Sequence, residues 1–167
     1  KFKRIEIDGP INKDTSYVIE KLLSDQKCKT ADGRNIVNTI YMNSNGGTLE
    51  DGYAIGRVLR KYGATTSLSF NQVCASSCAV AYLGGKFRRM DNSSKLIFHA
   101  PYIKTFDYGY ARIKCADIKS SKPLLNYYQE MLGDDVATKL FERTMDYCSQ
   151  TNGWTLDSGA SEFFGII

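Results

Sequence analysis

The chain is poor in histidine: among its 167 residues the only one is His99. A metal site built from several histidines is therefore excluded, and any mechanism that needs an imidazole base at neutral pH must use this residue. The five cysteines form no Cys-X-X-Cys pair and no zinc-ribbon spacing, so we do not expect a structural zinc site. The sequence thus indicates neither a metal nor a cofactor.

The chain also lacks long hydrophobic runs and a strong excess of one charge. No apolar stretch approaches the ~18 residues that a membrane span needs. The 22 basic and 18 acidic residues give a net charge of +4, and the tightest basic cluster is Lys-Phe-Arg-Arg at residues 86–89. We therefore expect neither a membrane span nor a nucleic-acid partner. The sequence contains no phosphate loop of the GxxxxGK(S/T) type, so any ATP-driven unfolding partner would be a separate chain.

The overall composition is that of an ordinary globular domain. Hydrophobic residues make up 43% of the chain and charged residues 24%, close to the averages for soluble globular proteins. A length of 167 residues suits one domain with its own core, and no linker-like tract interrupts the chain. We therefore predict a single domain over residues 1–167.

Strand-like and helical patterns alternate along the chain. Strands are predicted at residues 2–7, 36–42, 65–70, 87–90, 96–98 and 151–156. Helices are predicted from residue 14 or 15, over 49–62, over 112–132 with a break or bend at Pro123, from 134 to about 148, and over 157–164; residues 105–110 read as irregular. This alternation predicts an α/β fold with a mainly parallel sheet flanked by helices. Such folds carry their sites at the carboxyl ends of strands, here after Met42, Phe70 and Phe98.

Each of these three strand ends is followed by a chemically suggestive segment. The first is Asn-Ser-Asn-Gly-Gly at residues 43–47, whose glycines allow a sharp turn that exposes backbone amides. The second is Cys-Ala-Ser-Ser-Cys-Ala at residues 74–79, which places a serine where a helix dipole and unpaired N–H groups favour negative charge. The third is His99, two residues before Pro101. Taken singly, these are typical of a tight turn, a serine N-cap and a hydrogen-bonded core histidine.

Together and in this order, the segments resemble the Clp protease proteolytic subunit and its relatives in the crotonase-like superfamily. In that family an Asn-Ser-Pro-Gly-Gly-like turn, a serine that begins a helix of small residues, and a His-Gln-Pro-like segment follow one another. Here Asn45 stands where proline is usual. The resemblance implies a ClpP/crotonase-like fold of repeated strand-strand-helix units. The Cys-Ala-Ser-Xaa-Cys pattern is most similar to an exported bacterial branch, which implies a removed leader and a periplasmic or otherwise exported location.

The same resemblance implies roles for individual residues. Ser76 would be the nucleophile and His99 its general base. The backbone amides of Gly46 and Ser77 would form the oxyanion hole, where each donor is often worth ~3 kcal/mol. The implied activity is that of an ATP-independent serine peptidase acting on a peptide or protein substrate, within a homo-oligomer.

The third member of the catalytic site is the point of departure from the family. The position of the orienting acid falls near Asn152, and no aspartate stands there. An amide can orient an imidazole, so we predict Asn152 for this role, ahead of Asp146 and Asp157. The missing acid leaves an alternative open: a catalytically weak or inactive crotonase-fold scaffold that binds a peptide or protein partner. An acyl-CoA enzyme of the crotonase class is disfavoured, because it does not need a serine and histidine in this arrangement.

Two further groups of residues stay open at this point. The five cysteines could be buried thiols or could form disulfides in an oxidising compartment, and the sequence does not assign the pairing; they are Cys28, Cys74, Cys78, Cys115 and Cys148. Aromatic residues follow the histidine closely, in a region that the family uses as a handle between subunits and as a border of the substrate groove; they are Tyr102, Phe106, Tyr108 and Tyr110.

Overall fold

The structure is a computed structural model that describes residues 4–25, 31–32 and 38–167. Cys28 and the predicted strand residues 2–3 and 36–37 lie outside this part of the chain. The strands are β1 (Ile5–Asp8), β2 (Thr39–Asn43), β3 (Thr65–Leu68), β4 (Val73–Ala75), β5 (Phe87–Met90), β6 (Lys95–Phe98), β7 (Tyr102–Asp107), β8 (Tyr110–Cys115) and β9 (Trp154–Leu156). The helices are α1 (Thr15–Asp25), α2 (Leu49–Lys61), α3 (Ser77–Tyr82), α4 (Lys122–Leu132), α5 (Asp134–Met145) and α6 (Ser158–Phe164).

Two sheets with parallel pairings form the centre of the fold. Four strands lie in the order β1-β2-β3-β5, and every pair in this sheet is parallel. The second sheet has the order β4-β6-β9, with β4 parallel and β9 antiparallel to β6. A single bridge between Ser44 and Cys74 connects the end of β2 to β4. The predicted α/β class with a mainly parallel sheet flanked by helices is confirmed.

The core follows from the alternation of side chains along the strands and from one face of each helix. In β1 the isoleucines Ile5 and Ile7 are buried while their neighbours are exposed, and in β2 the side chains of Ile40 and Met42 are fully buried. The helix α2 begins at a capped end, because Thr48 accepts a hydrogen bond from the N–H of Asp51. Acidic residues in its first turn and basic residues in its last turn complement the helix dipole.

The helices α2 and α3 pack unusually closely, because glycine lines the contact. A Cβ atom added at Gly52 would lie 2.7 Å from the carbonyl oxygen of Ser77 and 3.0 Å from its Cβ. Gly56, one turn further along α2, faces the hydroxyl of Tyr127. That hydroxyl donates a hydrogen bond to the carbonyl oxygen of Val80 in α3. The short helix α3 is therefore fixed from two sides.

A β-hairpin replaces the first part of a predicted helix. The prediction of a helix over 112–132 is wrong, because residues 110–115 form β8, which pairs antiparallel with β7. The prediction that residues 105–110 are irregular is wrong for the same reason. Helix α4 begins only at Lys122, with Pro123 in its first turn, where a missing N–H costs no helical hydrogen bond. Among the residues that the structure describes, no helix is long and apolar enough to cross a membrane.

Candidate active site

The site lies where the strand-end segments meet. Ser76 follows β4 and His99 follows β6, and these strands are parallel neighbours with Ala75 opposite Ile97. The N–H of Ser76 donates to the carbonyl oxygen of Ile97 at 2.9 Å. Ser76 and His99 both line one open groove of about 790 Å³, which Gly47 also borders. The structure thus brings the serine and the only histidine to the same sheet edge.

Ser76 has a backbone conformation that residues with side chains rarely adopt. Its φ is 59° and its ψ is −128°. A positive φ outside glycine costs of order 1–3 kcal/mol and persists where the surroundings enforce it. Although Ser76 occupies the N-cap position of α3, its side chain does not cap the helix. The hydroxyl is therefore not used to cap the helix.

His99 is half-buried and is held by the main chain. Its Nδ1 lies 2.9 Å from the carbonyl oxygen of Ala100. Since a carbonyl oxygen only accepts hydrogen bonds, this contact uses Nδ1 as the donor, and in a neutral imidazole Nε2 is then the acceptor. The neighbouring N–H of Ala100 donates to the carbonyl oxygen of Tyr147 at 2.8 Å, and the ring centroid of Tyr102 is 5.4 Å from that of the imidazole.

The described residues show no hydrogen bond between the Ser76 hydroxyl and the His99 imidazole. Catalytic hydrogen bonds are often long or poorly aligned without substrate and tighten in the complex. The structure therefore shows a serine and an imidazole that line one groove without a hydrogen bond between them.

Some backbone N–H groups near Ser76 make hydrogen bonds within the protein, and others do not. The N–H of Gly46, a predicted oxyanion donor, donates to the Ser44 hydroxyl at 3.0 Å. Within the described part of the chain, the N–H groups of Gly47 and Ser77 make no hydrogen bond. Gly47 also borders the groove, whereas Gly46 borders a separate cavity on the other side of the turn. The geometry favours Gly47 and Ser77 as the available donors.

Among the described residues, the predicted Asn152 side chain makes no hydrogen bond with His99. Asn152 is exposed in the loop between α5 and β9, and only its backbone N–H is bonded, to the Ser149 hydroxyl at 3.0 Å. Of the two aspartates ranked behind it, Asp157 caps α6 by accepting from the N–H of Ala160, and Asp146 is exposed at the end of α5. In the described ranges the ring is oriented by a backbone carbonyl instead of a side chain.

A small apolar pocket lies beside the serine and the histidine. Its volume is about 20 Å³. Besides Ser76, His99 and Pro101, its lining consists of five apolar or aromatic side chains: Leu49, Val80, Phe98, Leu124 and Tyr128. The phenolic hydroxyl of Tyr128 is bonded to the Thr144 hydroxyl, so it presents only its ring.

The outer groove carries charges that the sequence interpretation did not assign to it. Glu50, Lys114 and Asp117 all line the groove. Hydrogen bonds from the N–H and the hydroxyl of Ser120 hold the pKa of the Asp117 carboxyl below its usual value. The sequence prediction missed Lys114 because it placed this residue in a helix, whereas it lies in β8 at the base of the hairpin.

Two disulfides settle the state of four cysteines. Cys74 is bonded to Cys78 across the serine turn, and Cys115 is bonded to Cys148, which joins β8 to the loop after α5. Of the two possibilities that the sequence left open, the structure therefore shows disulfides for these four residues.

Comparisons with known proteins agree with this geometry. The family model described as Clp protease matches residues 1–147 of this chain. The chain belongs to the Clp protease family. No protein in a curated set of sequences matches the chain significantly.

Solved structures show the same fold. ClpP1 from Listeria monocytogenes superposes with a TM-score of 0.67 at 18% identity, covering 98% of this chain and 88% of that one, and a point mutant of it gives the same values. A serine-to-alanine mutant of the 1510-N membrane-bound stomatin-specific protease superposes with a TM-score of 0.74 at 16% identity, covering 100% of this chain and 79% of that one. At these identities the likeness concerns the fold.

Proposed function

We propose that this chain is an ATP-independent serine peptidase in which Ser76 is the nucleophile and His99 the general base. The observation that carries the proposal is that Ser76, held at a positive φ with a hydroxyl that does not cap α3, lines the same groove as the only histidine. Membership of the Clp protease family supports peptidase chemistry. The sequence contains no phosphate loop, so the proposed reaction uses no ATP bound by such a motif in this chain.

The proposed reaction is acyl transfer through the serine. Nε2 of His99 removes the hydroxyl proton as Ser76 Oγ attacks the carbonyl carbon of the peptide, and the imidazolium then protonates the leaving amine. The negative oxygen of the tetrahedral intermediate is stabilised by the Ser77 N–H and by one backbone N–H of the Gly46–Gly47 turn. We assign the second donor to Gly47, because its N–H makes no hydrogen bond whereas the Gly46 N–H is bonded to the Ser44 hydroxyl. Water then hydrolyses the acyl-enzyme. The Ala100 carbonyl keeps the proton on Nδ1 throughout.

The small apolar pocket indicates which side chain precedes the cleaved bond. Apart from the serine, the histidine and a proline, its lining is made of five apolar or aromatic side chains, which favours an apolar group over a charged one. We therefore propose peptides with an apolar residue at this position as the substrate class.

The surroundings of the site support an oligomer and an exported location. The β7–β8 hairpin exposes a set of large apolar side chains, namely Ile103, Phe106, Tyr108 and Tyr110. Such a concentration on one projecting element favours an interface, and we propose a homo-oligomer. Two disulfides are typical of proteins in oxidising compartments, which supports a periplasmic or exported location.

A fluorophosphonate probe tests the proposal directly. We expect the folded wild-type protein to be labelled, Ser76→Ala to lose labelling, and His99→Ala to react at least ~100-fold more slowly because the base is lost. Ser69→Ala, which removes a half-buried hydroxyl from the loop after β3, is the matched control and should react like wild type. Labelling that persists in Ser76→Ala contradicts the assignment. A folded protein that neither reacts nor cleaves peptides supports the alternative, a scaffold that binds a peptide in the groove.

A further inference from the structure

The disulfide between Cys74 and Cys78 encloses the serine turn. Cys74 lies in β4, Cys78 lies in the first turn of α3, and Ser76 is midway between them. The two Cα atoms are 5.2 Å apart, and both side chains are fully buried in the core. The covalent bond therefore joins the strand that precedes the nucleophile to the helix that follows it, on the side away from solvent.

Hydrogen bonds secure the strand side of this turn better than the helix side. The N–H of Ala75 donates to the carbonyl oxygen of Ser44, and the N–H of Ser76 donates to that of Ile97, both at 2.9 Å. On the helix side, the carbonyl of Ser76 accepts from the N–H of Val80 at 3.2 Å, and no side chain caps the helix. Hydrogen bonds alone thus hold the start of α3 to the serine turn less firmly than they hold the end of β4.

We propose that the Cys74–Cys78 disulfide is a positioning crosslink that holds Ser76 in its reactive backbone conformation. This inference rests on the proposed function of Ser76. The bond does not touch substrate; it acts by preventing the start of α3 from moving away from the end of β4. Without it the turn relaxes, and the hydroxyl loses its position relative to His99 and to the Ser77 N–H.

The lengths of the two disulfide loops distinguish this role from general stabilisation. Cys74 and Cys78 are separated by four positions in the sequence, whereas Cys115 and Cys148 are separated by 33. The constraint that a disulfide places on the unfolded chain grows with the length of the loop it closes. The shorter bond therefore contributes less to the stability of the whole domain, and its main effect falls on the geometry of the turn that it spans.

The test compares the double variant Cys74→Ala/Cys78→Ala with wild type in the full chain. We expect the rate of fluorophosphonate labelling and kcat to fall about ten- to hundred-fold, because a small misplacement of a reacting group has effects of this size. KM should stay within about two-fold of the wild-type value, since the binding groove is unchanged. Cys74→Val/Cys78→Ala restores part of the lost volume and should show the same loss of rate.

Leu23→Ala is the control for stability. Leu23 is 4% exposed in α1 and takes no part in the site. We expect the Tm of this variant to fall, even by as much as the Tm of the disulfide variants. Its labelling rate, measured well below its Tm, should nevertheless equal that of wild type. Equal loss of rate in Leu23→Ala would show that the effect follows stability alone and would overturn the proposal.

The remaining outcomes are also decisive. If wild type reacts with the probe and the folded disulfide variants react within about two-fold of it, the positioning role is wrong while the proposed function stands. If wild type itself does not react, the proposed function fails. If neither disulfide variant folds, the bond serves the whole domain and the proposal is overturned.

Discussion

Replacing Gly46 by alanine should damage the site more than the fold, and Gly9 offers the control. Both glycines have a positive φ, +98° at Gly46 and +85° at Gly9. For alanine such a φ costs about 1–2 kcal/mol. A Cβ at Gly9 meets nothing within 4 Å, but at Gly46 it would lie 2.7 Å from the Ala75 oxygen and 2.9 Å from both Ser76 Cβ and Ser77 N. Forcing these atoms apart adds about 1–3 kcal/mol.

These magnitudes translate into different outcomes for the two variants. A change of 1 kcal/mol lowers Tm by about 2–4 °C in a domain of this length. We expect Gly9→Ala to lower Tm by about 2–8 °C, and Gly46→Ala by about 4–20 °C, from the energies above. Because the added methyl group pushes on the serine turn itself, the labelling rate should fall at least ~10-fold in Gly46→Ala and should stay near wild type in Gly9→Ala.

The assay measures Tm by thermal unfolding and the second-order rate of fluorophosphonate labelling at a temperature where both variants are folded. Normalising the rate to the folded fraction separates damage to the site from loss of stability. If Gly46→Ala and Gly9→Ala label at the same rate, the close packing of the Gly46 turn against Ser76 has no bearing on reactivity, and the reasoning is refuted.

Two further predictions concern the histidine and the pocket. Asn152→Ala should lower the labelling rate less than about three-fold, because the ring is held by the Ala100 carbonyl; a loss of ~100-fold would restore Asn152 as the orienting group. In a series of peptides that differ only before the cleaved bond, leucine should give a kcat/KM at least ~10-fold above aspartate, because a charged side chain loses its hydration in an apolar pocket. Equal kcat/KM values for the two peptides would rule out the apolar pocket as the determinant of specificity.

The sequence was most informative where a pattern was long or regular. The helix predicted over residues 49–62 corresponds to α2, and the strand predicted at 96–98 lies within β6, because amphipathic spacing and apolar runs determine burial directly. The secondary-structure prediction was wrong for the region after His99, because the sequence from Arg112 to Cys115 is compatible both with the start of a helix and with a strand. Its strand pairing depends on a partner across the hairpin, which local sequence does not specify.

The site was predictable in its side chains and less so in its backbone. The sequence placed Ser76 after the strand predicted at residues 65–70, but that strand ends at Leu68, and Ser76 instead follows β4, which was not predicted. Because β4 is the parallel neighbour of β6, Ser76 and His99 still share one sheet edge. The role of the Ala100 carbonyl in holding His99 could not be predicted, because every residue has a backbone carbonyl and no residue type indicates which one is used. Which glycine, Gly46 or Gly47, has a free N–H likewise depends on the backbone, because the Ser44 hydroxyl accepts a hydrogen bond from only one of them.

The hydrogen bond from the Ser76 N–H to the Ile97 oxygen has a consequence for motion. It connects the backbone of Ser76 to Ile97, which lies two residues before His99. When the sheet bends, Ser76 and His99 are therefore carried together. Such bending changes the distance between the two residues less than it changes their distance from parts of the chain outside the sheet.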